Sequence, residues 1–456
     1  MSKKDPFEEK LDRLTDSDRE KILAEFRRRF QAADVAAVHT CVRCGLCADA
    51  CHYYLTSGEL EDMPAYKLNL VLGVFKRHFT RSGKLASGWM GAKKLDSAMV
   101  REWVDALFGR CSGCGRCAVN CTSGINIPAL IRSARGALAA AGLVPPELQS
   151  TVMTAVEQGN NMGIPRREWL DTIAWIEEEL RAETGDSRAR IPVDEKGVKF
   201  LYTVNPREPK FFPLSLLAAA KMFYAAGESW TFSSDYYDVT NYGLYSGDDS
   251  HAGLLSGRLA TAMEDLEAEV LILGECGHGF ASTRWEAPQW LNRRFPFPVR
   301  SVLEVAADYV REGRIVLDSS RNKKPVTLHD PCNLVRLGGV IEEQRFLLER
   351  AVETFVEMTP NRQKNYCCGG GGGQLSMTRY AKRRLVSGRV KAEQIRRTAA
   401  RVVAAPCHNC IDQLTELSRE YKLGTEVKTV IEVMADAIVL AGNTAQLGRV
   451  INNAKE

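Results

Sequence analysis

The placement of the cysteines constrains this chain more than any other feature. Thirteen of the fourteen cysteines in its 456 residues fall into three compact groups. The first residues lead into a charged amphipathic stretch without the apolar core of an export signal. We therefore expect a reducing compartment, in which thiols stay free to bind metals rather than pair as disulfides. This predicts a cytoplasmic location.

The first two groups share the spacing C-x2-C-x2-C-x3-C, which is typical of a loop wrapped around a [4Fe–4S] cube. In two-cluster ferredoxins the fourth cysteine of each run serves the other cluster. Cluster 1 is therefore predicted on Cys41, Cys44, Cys47 and Cys121. Cluster 2 is predicted on Cys51, Cys111, Cys114 and Cys117. Structural zinc is the alternative, but zinc has no use for four cysteines at this spacing twice over.

The third group contains five cysteines, which are spaced differently from those of the first two groups. One follows a predicted strand in the sequence His329-Asp330-Pro331-Cys332, a pair follows after 34 residues, and two more follow after another 38. Five thiolates are too many for one ordinary cube, although a cube with a spare thiol or a zinc site would also use this group. We expect the reaction site on these five residues: Cys332, Cys367, Cys368, Cys407 and Cys410.

Glycines and histidines accompany the third group. Five glycines follow the cysteine pair, and Gly369 and Gly370 are expected to contact the cofactor. A phosphate cradle is the alternative for these glycines, but no Lys-Ser/Thr follows to complete it. Three histidines lie near Cys276 or a cysteine of the third group: His278, His329 and His408. They are candidates either for donating a proton to a leaving thiolate or for hydrogen bonding to the ligands.

The second half of the chain carries a weak internal repeat. Val270–Cys276 aligns with Arg401–Cys407, and Asn205-Pro206 aligns with Asp330-Pro331. In the first copy Gly279 takes the place of Cys410, so Cys276 alone cannot hold a cluster. We expect Cys276 to be either a buried structural thiol or an additional ligand or covalent partner at the third site.

The remaining composition excludes several classes of function. The 61 basic and 57 acidic residues leave a net charge of +4, which is too mild to predict nucleic-acid binding. No run of about 18 apolar residues exists to span a bilayer. A basic segment at 76–94 also contains Phe79 and Trp89; it is either a solvated face or a contact with anionic lipid or a membrane partner.

The third group resembles the cysteine-rich CCG family, in which a CCG motif lies between a single cysteine and a C-x2-C pair. The long helical insert between the first two groups resembles the helical ferredoxin domains of succinate dehydrogenase and heterodisulfide reductase. Together these modules resemble the D subunit of membrane-bound heterodisulfide reductase, which has two complete CCG units where this chain has one. The Glu275-Cys276-Gly277-His278 form is closer to the K subunit of the sulfite-reduction-linked membrane complex. It is also similar to the F subunit of the high-molecular-weight cytochrome c complex.

These resemblances imply an α+β, multi-domain fold, with a helical, fumarate-reductase-type two-cluster ferredoxin domain before a pseudo-duplicated α/β CCG domain. We place the ferredoxin domain at 1–145 and a helical bridge at 146–196. A degenerate CCG unit is predicted at 197–300 and a complete unit with the third cluster at 301–456.

The resemblance also implies a function. The third [4Fe–4S] cluster would be of the non-cubane type and would cleave a disulfide in two one-electron steps. The partners would be a cytochrome-b-like or other quinone-binding membrane protein, further members of the complex, and a small redox-cysteine protein or low-molecular-weight disulfide. The chain would lie on the inner face of the membrane. Two alternatives remain open: a pure electron-transfer subunit, and the iron–sulfur subunit of a glycolate, lactate or glycerol-3-phosphate dehydrogenase.

Overall fold

The computed structural model describes residues 5–440, so residues 1–4 of the first predicted domain and 441–456 of the last lie outside the described part. The chain divides into two compact units, each assembled from three segments. The first unit comprises Met1–Val152, Tyr242–His251 and Tyr366–Lys391. The second comprises Met153–Asn241, Ala252–Asn365 and Ala392–Glu456.

The helices and strands are numbered here in chain order. The helices are α1 Pro6–Asp12, α2 Asp16–Arg29, α3 Ala32–Thr40, α4 Leu46–Asp49, α5 His52–Ser57, α6 Pro64–Phe79, α7 Arg81–Leu85, α8 Ser87–Met90, α9 Ser97–Trp103, α10 Arg116–Val119, α11 Ile127–Ala140, α12 Pro146–Gln158, α13 Arg166–Thr184, α14 Arg207–Phe211, α15 Pro213–Ala226, α16 Gly243–Ser246, α17 Asp249–Asp265, α18 Gly277–Ala281, α19 Ala287–Trp290, α20 Val302–Arg311, α21 Glu343–Ala351, α22 Ala381–Ser387, α23 Arg389–Thr398, α24 His408–Glu420 and α25 Val430–Ala437. The strands are β1 Phe200–Thr203, β2 Trp230–Thr231, β3 Val270–Leu273, β4 Val299–Ser301, β5 Val326–Leu328, β6 Phe355–Val356, β7 Val402–Ala404 and β8 Glu426–Lys428.

The first unit is helical, and its helices begin where the sequence supplies caps. Thr15 and Asp18 form a reciprocal capping box that starts α2, and Pro64 occupies the first turn of α6, where its missing N–H is not needed. Helix α11 packs on both α2 and α6. Aromatic rings fill the space between α2, α6 and α9, and Phe30 stacks on Phe75 with centroids 4.3 Å apart.

The second unit contains two parallel four-stranded sheets with the same order of strands. One has the order β2-β1-β3-β4 and the other β6-β5-β7-β8. The central strands β1, β5 and β7 are buried along their whole length, as expected for parallel sheets covered on both faces. After the last strand of each sheet a capping box starts a helix: Ser301 with Glu304 at α20, and Thr429 with Glu432 at α25.

The sheets position their cysteines at equivalent points. Cys276 follows β3 and precedes α18, while Cys407 follows β7 and precedes α24. The carboxyl ends of parallel strands are where α/β folds place functional groups. The predicted order, a helical region followed by an α/β region, is confirmed. Among residues 5–440, no helix is both long and apolar enough to cross a bilayer.

Candidate metal centres

The first unit gathers four cysteines from both ferredoxin-like runs around one cavity. They are the four residues predicted for cluster 1: Cys41, Cys44, Cys47 and Cys121. The start of α6 also lines this cavity through Ala65 and Leu68. Cys44 is exposed, and the neighbouring Val42 is 72% exposed, so this cavity lies at the surface of the protein.

A second cavity in the same unit gathers the four cysteines predicted for cluster 2: Cys51, Cys111, Cys114 and Cys117. Its walls are partly apolar, from Pro64 and Ile131. Gly113 has φ +65° and its N–H donates to Cys111 Sγ at 3.4 Å. The two cavities fit [4Fe–4S] clusters, because each presents four sulfurs and the second adds a backbone N–H directed at a sulfur.

A buried lysine shares the second cavity. Lys67 is 1% exposed, and its Nζ donates to the carbonyls of Asp62, at 2.8 Å, and Arg110, at 2.5 Å. Burial raises the pKa of the Cys51 thiol, and the Lys67 ammonium opposes this shift. The lysine therefore places a positive charge next to sulfurs that must be thiolates to bind a metal.

Two arginines hold the loops around the second cavity. The Arg116 guanidinium donates to the Ala50 carbonyl at 2.9 Å and stacks on the Tyr366 ring at 3.8 Å. Arg135 is 3% exposed and donates to four carbonyls, of Leu107, Cys111, Tyr245 and Gly372. Because buried carbonyls need donors, these two side chains connect separate segments of the first unit.

The CCG cysteines Cys367 and Cys368 also belong to the first unit, where Cys367 lies close to the second cysteine run. Ser112 Oγ lies 3.5 Å from Cys367 Sγ, and His52 Nε2 lies 3.1 Å from Ser112 Oγ. The donor atoms of His52, Cys114 and Cys367 all lie within 4.8 Å of one another. The predicted cluster 2 ligand Cys114 therefore lies close to a cysteine of the third group.

The glycine run after this pair has two structural roles. The N–H groups of Gly369 and Gly370 donate to Cys367 Sγ at 3.3 Å and Cys368 Sγ at 3.4 Å. Gly372 has φ +67°, and a Cβ there would lie 2.7 Å from the backbone of Ser112. The glycines thus direct amide groups at sulfurs and allow close approach to the 111–115 loop.

The other three cysteines of the group belong to the second unit and are buried there: Cys332, Cys407 and Cys410. Cys332 lies two positions after Asp330 in the sequence. The Asp330 carboxylate accepts two hydrogen bonds from the Arg345 guanidinium, at 2.9 and 2.8 Å. A hydrogen bond from the Cys410 thiol lowers the pKa of Cys407 to about 6, although burial opposes it. Thiolate character is what metal binding requires.

Residues that follow β3 contact the loop at Cys407. The Gly277 N–H donates to Cys407 Sγ, and the Glu275 carbonyl accepts from the His408 N–H at 3.1 Å. Cys276 is fully buried, with Asn205 Nδ2 at 3.7 Å and His278 Nδ1 at 3.3 Å from its Sγ.

Two carboxylates, of Glu208 and Glu275, contact residues at the starts of α24 and α25. The Glu275 carboxylate accepts from the N–H groups of Val430 and Ile431, at 2.8 and 3.2 Å, at the start of α25. Glu208 Oε1 lies 3.4 Å from His408 Nε2. Burial alone would lower the pKa of His408, but the Glu208 carboxylate raises it to about 9. Within residues 5–440, His408 Nδ1 has no hydrogen-bond partner.

Sequence reasoning found the cysteines but missed the residues that surround them. Lys67, Arg135 and Glu208 are charged, and charged side chains are mostly exposed, so the sequence alone favours the surface for them. A local signal exists at Lys67, a single lysine beside the segment Leu68–Leu72, which is apolar except for Asn69.

Comparison with known families finds two matching domains. A 4Fe-4S dicluster domain matches residues 37–125, which contain both ferredoxin-like runs. A cysteine-rich CCG domain matches residues 326–415, which contain all five cysteines of the third group.

Curated relatives extend over most of the chain. An Hdr-like menaquinol oxidoreductase iron-sulfur subunit 2 of Archaeoglobus fulgidus is 29% identical over 443 residues, covering 88% of this chain and 79% of the relative. The D subunit of the dihydromethanophenazine:CoB–CoM heterodisulfide reductase of Methanosarcina barkeri is 25% identical over 417 residues, covering 91% and 97%. An EtfAB:quinone oxidoreductase of Syntrophomonas wolfei is 23% identical over 381 residues, covering 75% and 49%.

The matched domains, their order and these relatives agree with the family suggested by the cysteine pattern. The chain thus contains a 4Fe-4S dicluster domain followed by a CCG domain, and over most of its length it is similar to Hdr-like menaquinol oxidoreductase iron-sulfur subunits and to the D subunit of heterodisulfide reductase.

Proposed function

We propose that the chain is the iron–sulfur subunit of a membrane-associated redox complex that exchanges electrons between a quinone-reactive membrane partner and a thiol/disulfide site. The observation that carries this proposal is the 3.5 Å contact between Ser112 Oγ and Cys367 Sγ. It brings the predicted cluster 2 next to a cysteine of the CCG motif. Such proximity is what electron transfer between two sites requires.

The cavities support the proposed cysteine sets. Cluster 1 is assigned to Cys41, Cys44, Cys47 and Cys121, and cluster 2 to Cys51, Cys111, Cys114 and Cys117. The third cluster is assigned from its spacing and the CCG match to Cys332, Cys367, Cys368, Cys407 and Cys410. We also propose that the first three regions of the chain end at residues 145, 196 and 300, as predicted from the sequence.

The chemistry balances as a two-electron reduction. A disulfide takes up two electrons and two protons and gives two thiols, or the reaction runs in reverse. When bound, the clusters would supply these electrons one at a time. Lys67 holds positive charge at the second cavity, while the amides of Gly369 and Gly370 hold the cysteine pair. The buried His408 has an Nδ1 that could hold a proton for a leaving thiolate.

The membrane partner is proposed from the relatives. The Archaeoglobus fulgidus relative is named as part of a menaquinol oxidoreductase, and the Syntrophomonas wolfei relative as a quinone oxidoreductase. We place this chain on the inner face of the membrane, bound through partner proteins of the same complex. A small redox-cysteine protein or a low-molecular-weight disulfide is its substrate.

The two sheets are proposed to be copies of one ancestral unit. Their identical strand order supports this, as do the equivalent positions of Cys276 and Cys407. The copy without a full cysteine set then serves as a support, through Glu208, Glu275 and Gly277.

Electron paramagnetic resonance tests the proposal. Anaerobically prepared protein should contain about twelve irons, four in each of three clusters. Dithiothreitol under oxidising conditions should produce a new paramagnetic signal in this protein and none in a Cys368→Ser variant. A third cluster that does not respond to thiols would contradict the reaction site and leave a pure electron-transfer subunit.

A further inference from the structure

The helical insert of the first unit ends in a protruding segment, which we call the 81–94 patch (residues 81–94, on α7, α8 and the turn that follows). Trp89 is 98% exposed and Leu85 is 90% exposed. They are the most exposed large apolar side chains in the described part of the chain. Apolar side chains exposed to this extent mark an interaction surface when they are grouped.

The patch is uniformly basic. Residues 63–95 contain no aspartate or glutamate, although the whole chain has 57 acidic residues. Arg81, Lys84 and Lys94 are exposed, and no ion-pair partner is found for them among residues 5–440. The pKa of the nearby His78 is lowered, first by burial and then by the positive charges of Arg77, Lys84 and Lys94.

We propose that the 81–94 patch binds an anionic lipid bilayer, with Leu85 and Trp89 inserted at the interface and the lysines and arginine on the headgroups. The side chains protrude rather than line a groove, and a bilayer accepts protruding groups without a matching pocket. Tryptophan is enriched at membrane interfaces, and a charge of a single sign suits a uniformly anionic surface. This inference deepens the proposed function, on which it rests for the choice of a membrane as the occupant.

Within the first unit, helix α6 separates the 81–94 patch from the cluster 1 cavity. Ala65 and Leu68, at the start of α6, line the cluster 1 cavity, whereas the patch follows its end at Phe79. At 1.5 Å per residue, the helix separates them by roughly 20 Å. The bilayer would therefore hold the protein in place, while electrons would enter cluster 1 through a protein partner.

Vesicle co-sedimentation of the full-length protein with its clusters tests the proposal. Vesicles of phosphatidylcholine mixed with phosphatidylglycerol should bind the protein, salt should weaken the binding, and phosphatidylcholine alone should bind much less. Reversing two charges in Lys84→Glu/Lys94→Glu should lower the partition coefficient more than about tenfold, since each basic residue near an anionic surface contributes roughly fivefold. Trp89→Ala should also weaken binding and abolish any vesicle-induced blue shift in tryptophan fluorescence.

Matched controls lie on other exposed surfaces. Lys21→Glu/Lys323→Glu changes the net charge equally, and Trp175→Ala removes a 44% exposed tryptophan. Both should bind as the unaltered protein does. Equal binding by the patch variants, no binding of the unaltered protein, or recruitment only by membranes that contain a protein partner would overturn the proposal. The thiol-induced paramagnetic signal should be the same in all these variants, so this test and that of the proposed function fail separately.

Discussion

Ser112 Oγ lies 3.5 Å from Cys367 Sγ, so the loop of the second ferredoxin-like run touches the CCG motif through a hydroxyl and a sulfur. The same hydroxyl lies 3.1 Å from His52 Nε2, while His52 Nδ1 faces the Ser387 carbonyl at 3.2 Å. His52 stands where ferredoxins often have proline after the fourth cysteine of a run. With histidine in place of proline, the side chain at this position contacts both Ser112 and the Ser387 carbonyl.

Removing the hydroxyl should shift the reduction potential of the third cluster. A hydrogen bond to a cysteine sulfur stabilises the more negative, reduced state, so Ser112→Ala should lower this potential. A redox titration followed by electron paramagnetic resonance measures it. Ser112→Thr keeps the hydroxyl and should stay near the original value, and equal potentials in the two variants would contradict the role of the contact.

The sharing of cysteines between the two runs is testable with paired substitutions. Cys121→Ser should damage the same cluster as Cys44→Ser, because both sulfurs line one cavity. The double variant Cys44→Ser/Cys121→Ser should therefore lose no more iron than either single variant. By contrast, Cys44→Ser/Cys51→Ser should lose iron from both clusters. Iron content together with the cluster signals checks this; additive loss in the first pair would show that each run holds its own cluster.

Lys67 should set the potential of cluster 2 above that of a site without a buried cation. In Lys67→Met the positive charge is absent, so the reduced and more negative cluster is less stable and its potential should fall. The carbonyls of Asp62 and Arg110 also lose their donor, which costs about 1–3 kcal/mol of folding stability for each buried group left unsatisfied. A potentiometric titration of cluster 2 is the measurement. Lys67→Arg should restore most of the potential, whereas an unchanged value in Lys67→Met would refute the role of the charge.

Gly372 should tolerate no side chain. Its φ of +67° costs an alanine about 1–2 kcal/mol, and the Cβ would lie 2.7 Å from the Ser112 backbone, which adds about 1–3 kcal/mol for overpacking. Thermal or denaturant unfolding of Gly372→Ala measures the total. Gly58 has φ +71° with nothing within 4 Å of its Cβ position, so Gly58→Ala is a matched control that carries only the backbone cost. Equal losses in both variants would show that the close contact is unimportant.

Much of this architecture is predictable, for physical reasons visible in particular elements. Short apolar or β-branched runs predict β1, β3, β5 and β7, the central strands of the two sheets. The edge strands escape prediction for two reasons: β2 and β6 have only two residues, and β4 and β8 include charged positions such as Arg300, Glu426 and Lys428. Two residues are too few for a periodic pattern, and charged residues such as glutamate and lysine are depleted in strands.

The sites are likewise predictable only in part. Cysteine spacing predicts which sulfurs line each of the first two cavities, since four ligands of a cube must come from tight loops. The spacing contains nothing about Ser112, Arg135 or Glu208, which contact residues more than 20 positions away in sequence. Such partners depend on tertiary packing, and no local pattern encodes them.

The most direct test of the central claim is a single-turnover oxidation of the reduced protein by a disulfide. With clusters 1 and 2 each holding one electron, one equivalent of disulfide should remove the paramagnetic signals of both and release two thiols, because a disulfide takes up two electrons. In Cys368→Ser, with clusters 1 and 2 intact, these signals should persist after the same addition. Oxidation of both clusters at an equal rate in Cys368→Ser would contradict the assignment of the CCG cysteines as the site where the disulfide reacts.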